Sequence, residues 1–272
     1  MTRILTALIL VIVMALPGFA ERPRPLGWAL DAMRNGNWDI ARLIAQRDGP
    51  VAADVIEWHR LRAGRGTLEE ARAFLKRRAD WPGERLLRRK TEGAVAEGDD
   101  AAVLAFFEEM EPQTPNGVLA QAAALRRSGE TGEADANIVL AWRSMPMDET
   151  EQALFIEAHE ALLKPHHAAR LEGMLWAKEH DAARQMFDLV GKEEVALAET
   201  RIALQRRESG VNKLIDALPK SKVGDPGVQA DRFEWRVRAG LFDDAKTLML
   251  AQSKSLASLG RAEAWSNRRR AL

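Results

Sequence analysis

The sequence has no cysteine, no net charge and, past its first twenty residues, no long apolar run. Among 272 residues, forty lysines and arginines balance forty aspartates and glutamates. The missing cysteine excludes disulfides, thiolate metal sites and a cysteine nucleophile, and it fits any compartment. The even balance argues against a nucleic-acid surface, which is as a rule strongly basic. Beyond residue 20 no stretch reaches membrane-spanning length. A phosphate-binding glycine loop and a Gly-x-Ser-x-Gly elbow are missing too, and no cofactor site is expected. Valine, isoleucine and threonine are scattered rather than alternating, so no convincing strand is left.

What is there is a loose repeat. "GNWDIARLIAQ" from Gly36 and "GLFDDAKTLML" from Gly240 share a glycine, an apolar residue two places on, an alanine in the sixth place (Ala41, Ala245) and an apolar run. The pattern returns at Gly66 with Ala71, at Gly98 with Val103, and at Gly129 with Ala134. A copy from Lys178 keeps Ala183 without the glycine, and one from Gly210 keeps the glycine but has Ile215 in the alanine place. The start points lie 30, 32, 31, 49, 32 and 30 residues apart. One period near thirty predicts a helical repeat array: two helices of roughly a dozen residues and two short turns per unit, close to the roughly 34 residues of a tetratricopeptide repeat. Each glycine is expected in a left-handed turn where one helix stops. Each alanine is expected where two helix backbones approach closely.

Ala, Leu, Glu and Arg dominate, as helix propensity requires. Pro50, Pro82, Pro112, Pro115, Pro146, Pro165, Pro219 and Pro226 all fall at breaks between periodic segments. Thr67 with Glu70 reads as a capping box, and Asp148 with Glu151 as another. The fold class expected is all-α: an α-solenoid, or superhelix, of antiparallel helix pairs, tetratricopeptide-like, with about sixteen helices. The 49-residue step is expected to hold an extra helix or helix pair. The final "LASLGRAEAWSNRRRAL" reads as a helix opening a further repeat.

"MTRILTALILVIVMALPGFA" has a basic residue at Arg3, an apolar core from Ile4 to Leu16 and a small-residue exit at Gly18 and Ala20. It reads as a signal peptide over 1–20 cleaved after Ala20, since a thirteen-residue core is short for a membrane anchor. A periplasmic chain over 21–272 follows, with no membrane span after signal removal.

"WHRLRAGRGTLEEARAFLKRRADWPGERLLRRKTEGAV" from Trp58, "AARLEGMLW" from Ala168 and "DPGVQADRFEWRVRAGLFDDAKTLML" from Asp225 resemble the N-terminal superhelical region of alphaproteobacterial soluble lytic murein transglycosylases. The turn Asp80-Trp81-Pro82-Gly83 and the helix Arg232-Phe233-Glu234-Trp235-Arg236 are the most specific parts. The resemblance covers nearly all of 21–272. It implies a U-shaped or ring-like periplasmic solenoid that precedes a lysozyme-like domain, the latter cleaving between N-acetylmuramic acid and N-acetylglucosamine to leave a 1,6-anhydro end. In that family one Glu of the catalytic domain acts as general acid and then base, and the domain also carries a Glu-Ser motif followed by Gly-Leu-Met-Gln. Here Glu208-Ser209 has no such sequel, and Gly210 opens a repeat instead. No catalytic residue is therefore assigned, and the chain alone is expected to be inactive, a solenoid cut off before its catalytic domain.

Other chemistry is thin. His159, His166 and His167 lie close in sequence, but Pro165 divides them and no carboxylate completes a ligand set, so no metal site is expected. The basic runs Lys76–Arg78, Arg88–Lys90 and Arg268–Arg270 read as solvated helix faces. Trp38, Trp142 and Trp176 occupy apolar repeat positions and read as core. Two functions stay open: a non-catalytic module of a peptidoglycan-cleaving enzyme, touching glycan strands, or an independent periplasmic scaffold for a protein or peptide partner.

Overall fold

A computed structural model describes residues 24–252 and Arg270. The signal-peptide reading, Ala20 included, and, apart from Arg270, the helix expected over 256–272 lie outside the described residues. All regular structure among the described residues is helical, with sixteen α-helices and no strand. In chain order these are α1 (Pro25–Arg34), α2 (Trp38–Ala45), α3 (Pro50–Arg62), α4 (Leu68–Arg77), α5 (Glu84–Thr91), α6 (Asp100–Phe107), α7 (Pro115–Arg127) and α8 (Thr131–Ser144). There follow α9 (Glu149–Leu163), α10 (His167–Ala177), α11 (His180–Arg184), α12 (Lys192–Arg206), α13 (Val211–Asp216), α14 (Lys220–Val223), α15 (Pro226–Arg238) and α16 (Phe242–Gln252).

Local chemistry sets the helix ends. Proline opens α1, α3, α7 and α15, where its missing N–H is no loss and its fixed φ suits the first turn. Thr67 and Glu70 form a reciprocal capping box at α4, as do Asp148 and Glu151 at α9. Six helices stop in the same way. The residue just past the helix takes a left-handed conformation at Gly36, Gly64, Gly129, Lys178, Arg207 and Gly240. At each its N–H donates to the carbonyl three residues back, and the next N–H reaches five back, as in Asn37 to Ala32, Glu179 to Met174 and Leu241 to Arg236. This double closure satisfies carbonyls that a helix end otherwise leaves open.

The expected glycine register therefore needs correction at three places. Gly66 is not left-handed; Gly64, two residues earlier, is the stop, and a Cβ on Gly66 would collide with the Leu61 side chain. Gly98 is extended, with φ −79° and ψ 158°. Gly210 is left-handed but caps the start of α13, whereas α12 has already stopped at Arg207. Two residues inserted after Gly64 and three after Arg207 explain the shift. Ala41, Ala71, Ala134, Ala183 and Ala245 are all fully buried, and Val103 and Ile215 are buried as well.

The chain divides into two compact units at Ala102 and Val103, inside α6. In the first, Ala29, Ala41, Ala45, Ala52 and Ile56 form one core with Leu30, Met33 and Ile44 around it. A second core gathers Leu61, Ala71, Phe74 and Leu87 beneath Trp58 and Trp81. In the second unit α7 packs on α8, α8 on α10, α10 on α12, α12 on α15 and α15 on α16, each helix meeting the next in series. Gly173 of α10 lies so close to the Arg143 carbonyl of α8 that a side chain there has no room. The long step between Gly129 and Lys178 holds one additional helix, α9, kinked at His159, where the backbone leaves helical geometry. Pro165 lies in the short 3₁₀ turn that joins α9 to α10.

Candidate functional site

One opening of the second unit is a groove of about 550 Å³. It runs from the end of α6 (Leu104, Phe107) over Glu108, Glu111 and Pro112 to α7 (Val118, Gln121, Leu125) and α8 (Glu133, Asn137, Leu140, Ala141, Ser144), with Met145 at its end. On α8 the residues Glu133, Asn137, Leu140 and Ser144 share one face by helical spacing. Leu140 stands 62% exposed. Asn137 Nδ2 donates to Gln121 Oε1 at 3.3 Å across the two helices. No lysine or arginine lines the groove, and Glu108, Glu111 and Glu133 have no ion-pair partner among the described residues.

Deeper in the same unit, polar groups hold helices together. Asp231 of α15 accepts from Arg201 Nε at 2.7 Å and from Gln205 Nε2 at 3.0 Å; Gln205 also donates to the Leu175 carbonyl and meets His180 Nε2 at 2.7 Å. Burial pushes the Asp231 carboxyl above the usual carboxylate range, against the opposing pull of Arg201 and Gln205. Arg201 also stacks over Trp176, 4.7 Å from its ring centre, and its guanidinium occupies the space where a side chain on Gly227 would be. Arg170, fully buried on α10, donates to the Trp142 and Met145 carbonyls at the end of α8 and lies 4.5 Å from the Trp142 ring centre. It thus caps a helix C-terminus, where a cation is favoured. Burial lowers its pKa to about 10, and its Nε and Nη2 have no hydrogen-bond partner among the described residues.

In the first unit the aromatic side chains Trp58, Phe74 and Trp81 meet edge to face, with Arg62 over Trp58 at 4.2 Å. Val55, Trp58, Trp81 and Pro82 line a small apolar hollow of about 270 Å³. Beside it Asp54 is buried and receives hydrogen bonds from Arg77 and Arg78. Burial raises its carboxyl, but the bonds and charges of Arg78 and Arg77 outweigh that and leave it below the usual range.

Several expectations change accordingly. The run Lys76–Arg78 is not simply a solvated face: Arg77 and Arg78 turn back onto Asp54, because a buried carboxylate needs a counter-charge. Arg88 is buried and bonded to Glu84 at 2.7 Å. Arg268 and Arg269 fall outside the described residues. Trp142 is fully buried, but Trp38 and Trp176 are only half-buried, Trp176 donating to Glu172. His167 is tilted against Trp142 at 5.5 Å, and burial, then Lys164 and Arg170, lowers its pKa. His159 lies apart on α9, and no group of three potential ligands among the described residues is placed to hold a metal. Glu208 is exposed just past the stop of α12, its N–H bonded to the Ala203 carbonyl.

Sequence reading missed the groove residues, Arg170, and the Arg201–Asp231 pair. The groove had a signal: the acidic run from Glu108 to Glu111, and a leucine in phase with Glu133 and Asn137 on α8. No helix among the described residues is long and apolar enough to cross a membrane. Neither a family model, nor a curated protein, nor a solved structure matches the chain.

Proposed function

We propose that the chain is a non-catalytic, superhelical binding module of the bacterial cell envelope, akin to the region that precedes the catalytic domain in soluble lytic murein transglycosylases, and that it works in the periplasm by contact rather than by chemistry. The observation that carries this reading is the recurrent stop turn: six helices end in one hydrogen-bonded pattern, and a fully buried alanine follows it at four of them after five residues. Such units bury their apolar faces only against neighbours and so build extended surfaces suited to holding a partner. Lytic cleavage, by contrast, needs a carboxylic acid placed at the glycosidic oxygen in a water-poor site. Asp231, the carboxyl that burial pushes up, has both oxygens engaged by Arg201 and Gln205.

Incubation of the purified chain with sacculi tests the proposal. The expected result is retention on the sacculi without release of anhydro-muropeptides by mass analysis. Appearance of anhydro products, and their loss in Glu208→Gln, would make the exposed glutamate the catalyst and overturn it. A second reading, an independent tetratricopeptide-like scaffold for a protein segment, draws on the groove along α7 and α8.

A further inference from the structure

The groove of the second unit combines three kinds of group in one place. Apolar surface is contributed by Leu140, which stands largely exposed, and by the half-buried Leu104 and Met145. Carboxylates come from Glu108, Glu111 and Glu133, which point into the same opening without a cationic partner among the described residues. Asp135, on the same helix as Glu133, is by contrast matched to Arg126 at 2.6 Å. The amide pair Asn137–Gln121 uses one donor and one acceptor on itself, leaving Asn137 Oδ1 and Gln121 Nε2 for another backbone.

Like charges gathered on a partly apolar wall repel one another and gain when a cation covers them. No lysine or arginine is among the residues that line the groove, and over residues 103–252 twenty-five acidic residues outnumber eighteen basic ones. We propose that this groove docks a basic segment of a partner protein whose lysines or arginines alternate with leucine-like side chains. The apolar side chains settle against Leu140, Leu104 and Met145, the cations face the three glutamates, and the amide pair holds the segment's backbone. A volume of about 550 Å³ is in the range that takes a few side chains rather than a folded surface. The proposal deepens the scaffold reading given above and rests on it.

Fluorescence anisotropy with the full chain decides it. The probes are labelled peptides of about twelve residues: one alternating lysine and leucine, one alternating glutamate and leucine, one alternating lysine and serine. The lysine–leucine peptide is expected to bind, and the other two to bind at least about tenfold more weakly. Glu111→Lys with Glu133→Lys should weaken it about tenfold, more at low salt than at high. Leu140→Ser should weaken it at every salt concentration. All three positions are exposed, so unchanged circular dichroism is expected and serves as the folding control. Equal binding of the glutamate–leucine peptide overturns the proposal. Binding that survives the double reversal keeps the scaffold reading and overturns this groove, whereas no peptide binding at all overturns both. Self-association that the double reversal abolishes gives the groove to a second copy. Tighter peptide binding by Arg268→Glu with Arg269→Glu and Arg270→Glu gives it to the chain's own basic end. Either outcome overturns a separate partner.

Discussion

Asp54 in the first unit and Asp231 in the second are both buried aspartates answered by arginine, and their carboxyls move in opposite directions. Asp54 receives three hydrogen bonds from two arginines, Arg77 and Arg78, whose side chains keep 49% and 28% of their exposure. Together their hydrogen bonds and charges outweigh the cost of burying the carboxylate, so its pKa falls. Asp231 has one arginine, which is itself 1% exposed. There the desolvation of the carboxylate is larger than the pull of Arg201 and Gln205, and the carboxyl is pushed up. Which way a buried acid moves depends on whether its counter-charges and hydrogen bonds outweigh its own desolvation.

The difference predicts unequal costs of removal. Arg201→Ala should destabilise the second unit by about 3–5 kcal/mol, because Asp231 then stays buried without a partner. Arg201→Leu with Asp231→Leu should recover most of that loss, since apolar side chains fill a buried ion-pair site well. Asp54→Ala should cost about 1–2 kcal/mol, as Arg77 and Arg78 can swing into water. Urea unfolding of the three variants reads all three effects, and an Asp54→Ala loss as large as that of Arg201→Ala would break the contrast.

A smaller effect tests what the two units share. Ala71 in the first and Ala183 in the second are both fully buried after a stop turn, although two extra residues separate Ala71 from its stop. Overpacking by Ala71→Leu or Ala183→Leu should cost about 1–3 kcal/mol. Ala53→Leu, at a half-buried site outside the pattern, should cost less. Equal melting temperatures for Ala71→Leu and Ala53→Leu would remove Ala71 from the repeat.

Helices were legible because their signals are local. Alanine-rich composition, proline at first turns and the two capping boxes each act within a few residues, and a helix needs little else to be seen. Lys178 and Arg207 were harder as helix stops, because a non-glycine residue there costs roughly 1–2 kcal/mol and leaves no compositional trace. Long-range groups were not legible at all. Asp54 meets Arg77 across 23 residues, Arg201 meets Asp231 across 30, and Arg170 reaches carbonyls 25 and 28 residues back. Charged residues at such separations look like ordinary solvated positions until the packing of one helix on another brings them together. The groove lies between these cases: its acidic run was visible, but only the pairing of α7 with α8 sets Gln121 against Asn137.

The smallest effect is the sharpest test of the two aspartates, because it is a matter of sign. The folded-state pKa of Asp54 lies below the ordinary value of about 3.9. Its stabilising contribution is complete above that value and is lost as the pH falls through the lower folded one. For Asp231 the folded value lies above the ordinary one, so its ionised form opposes folding. Its contribution improves as the pH falls through the raised value toward about 4. Asparagine imitates the neutral acid in shape and does not titrate. The stability of the parent relative to Asp54→Asn should therefore rise with pH at the acid end, and the parent's stability relative to Asp231→Asn should fall with pH over a range that begins higher. Urea midpoints of the parent and both variants, taken between about pH 3 and pH 7, give the two slopes. Slopes of the same sign would mean that Arg201 holds its aspartate as firmly as Arg77 and Arg78 hold theirs, and that desolvation of the carboxylate does not set the two sites apart.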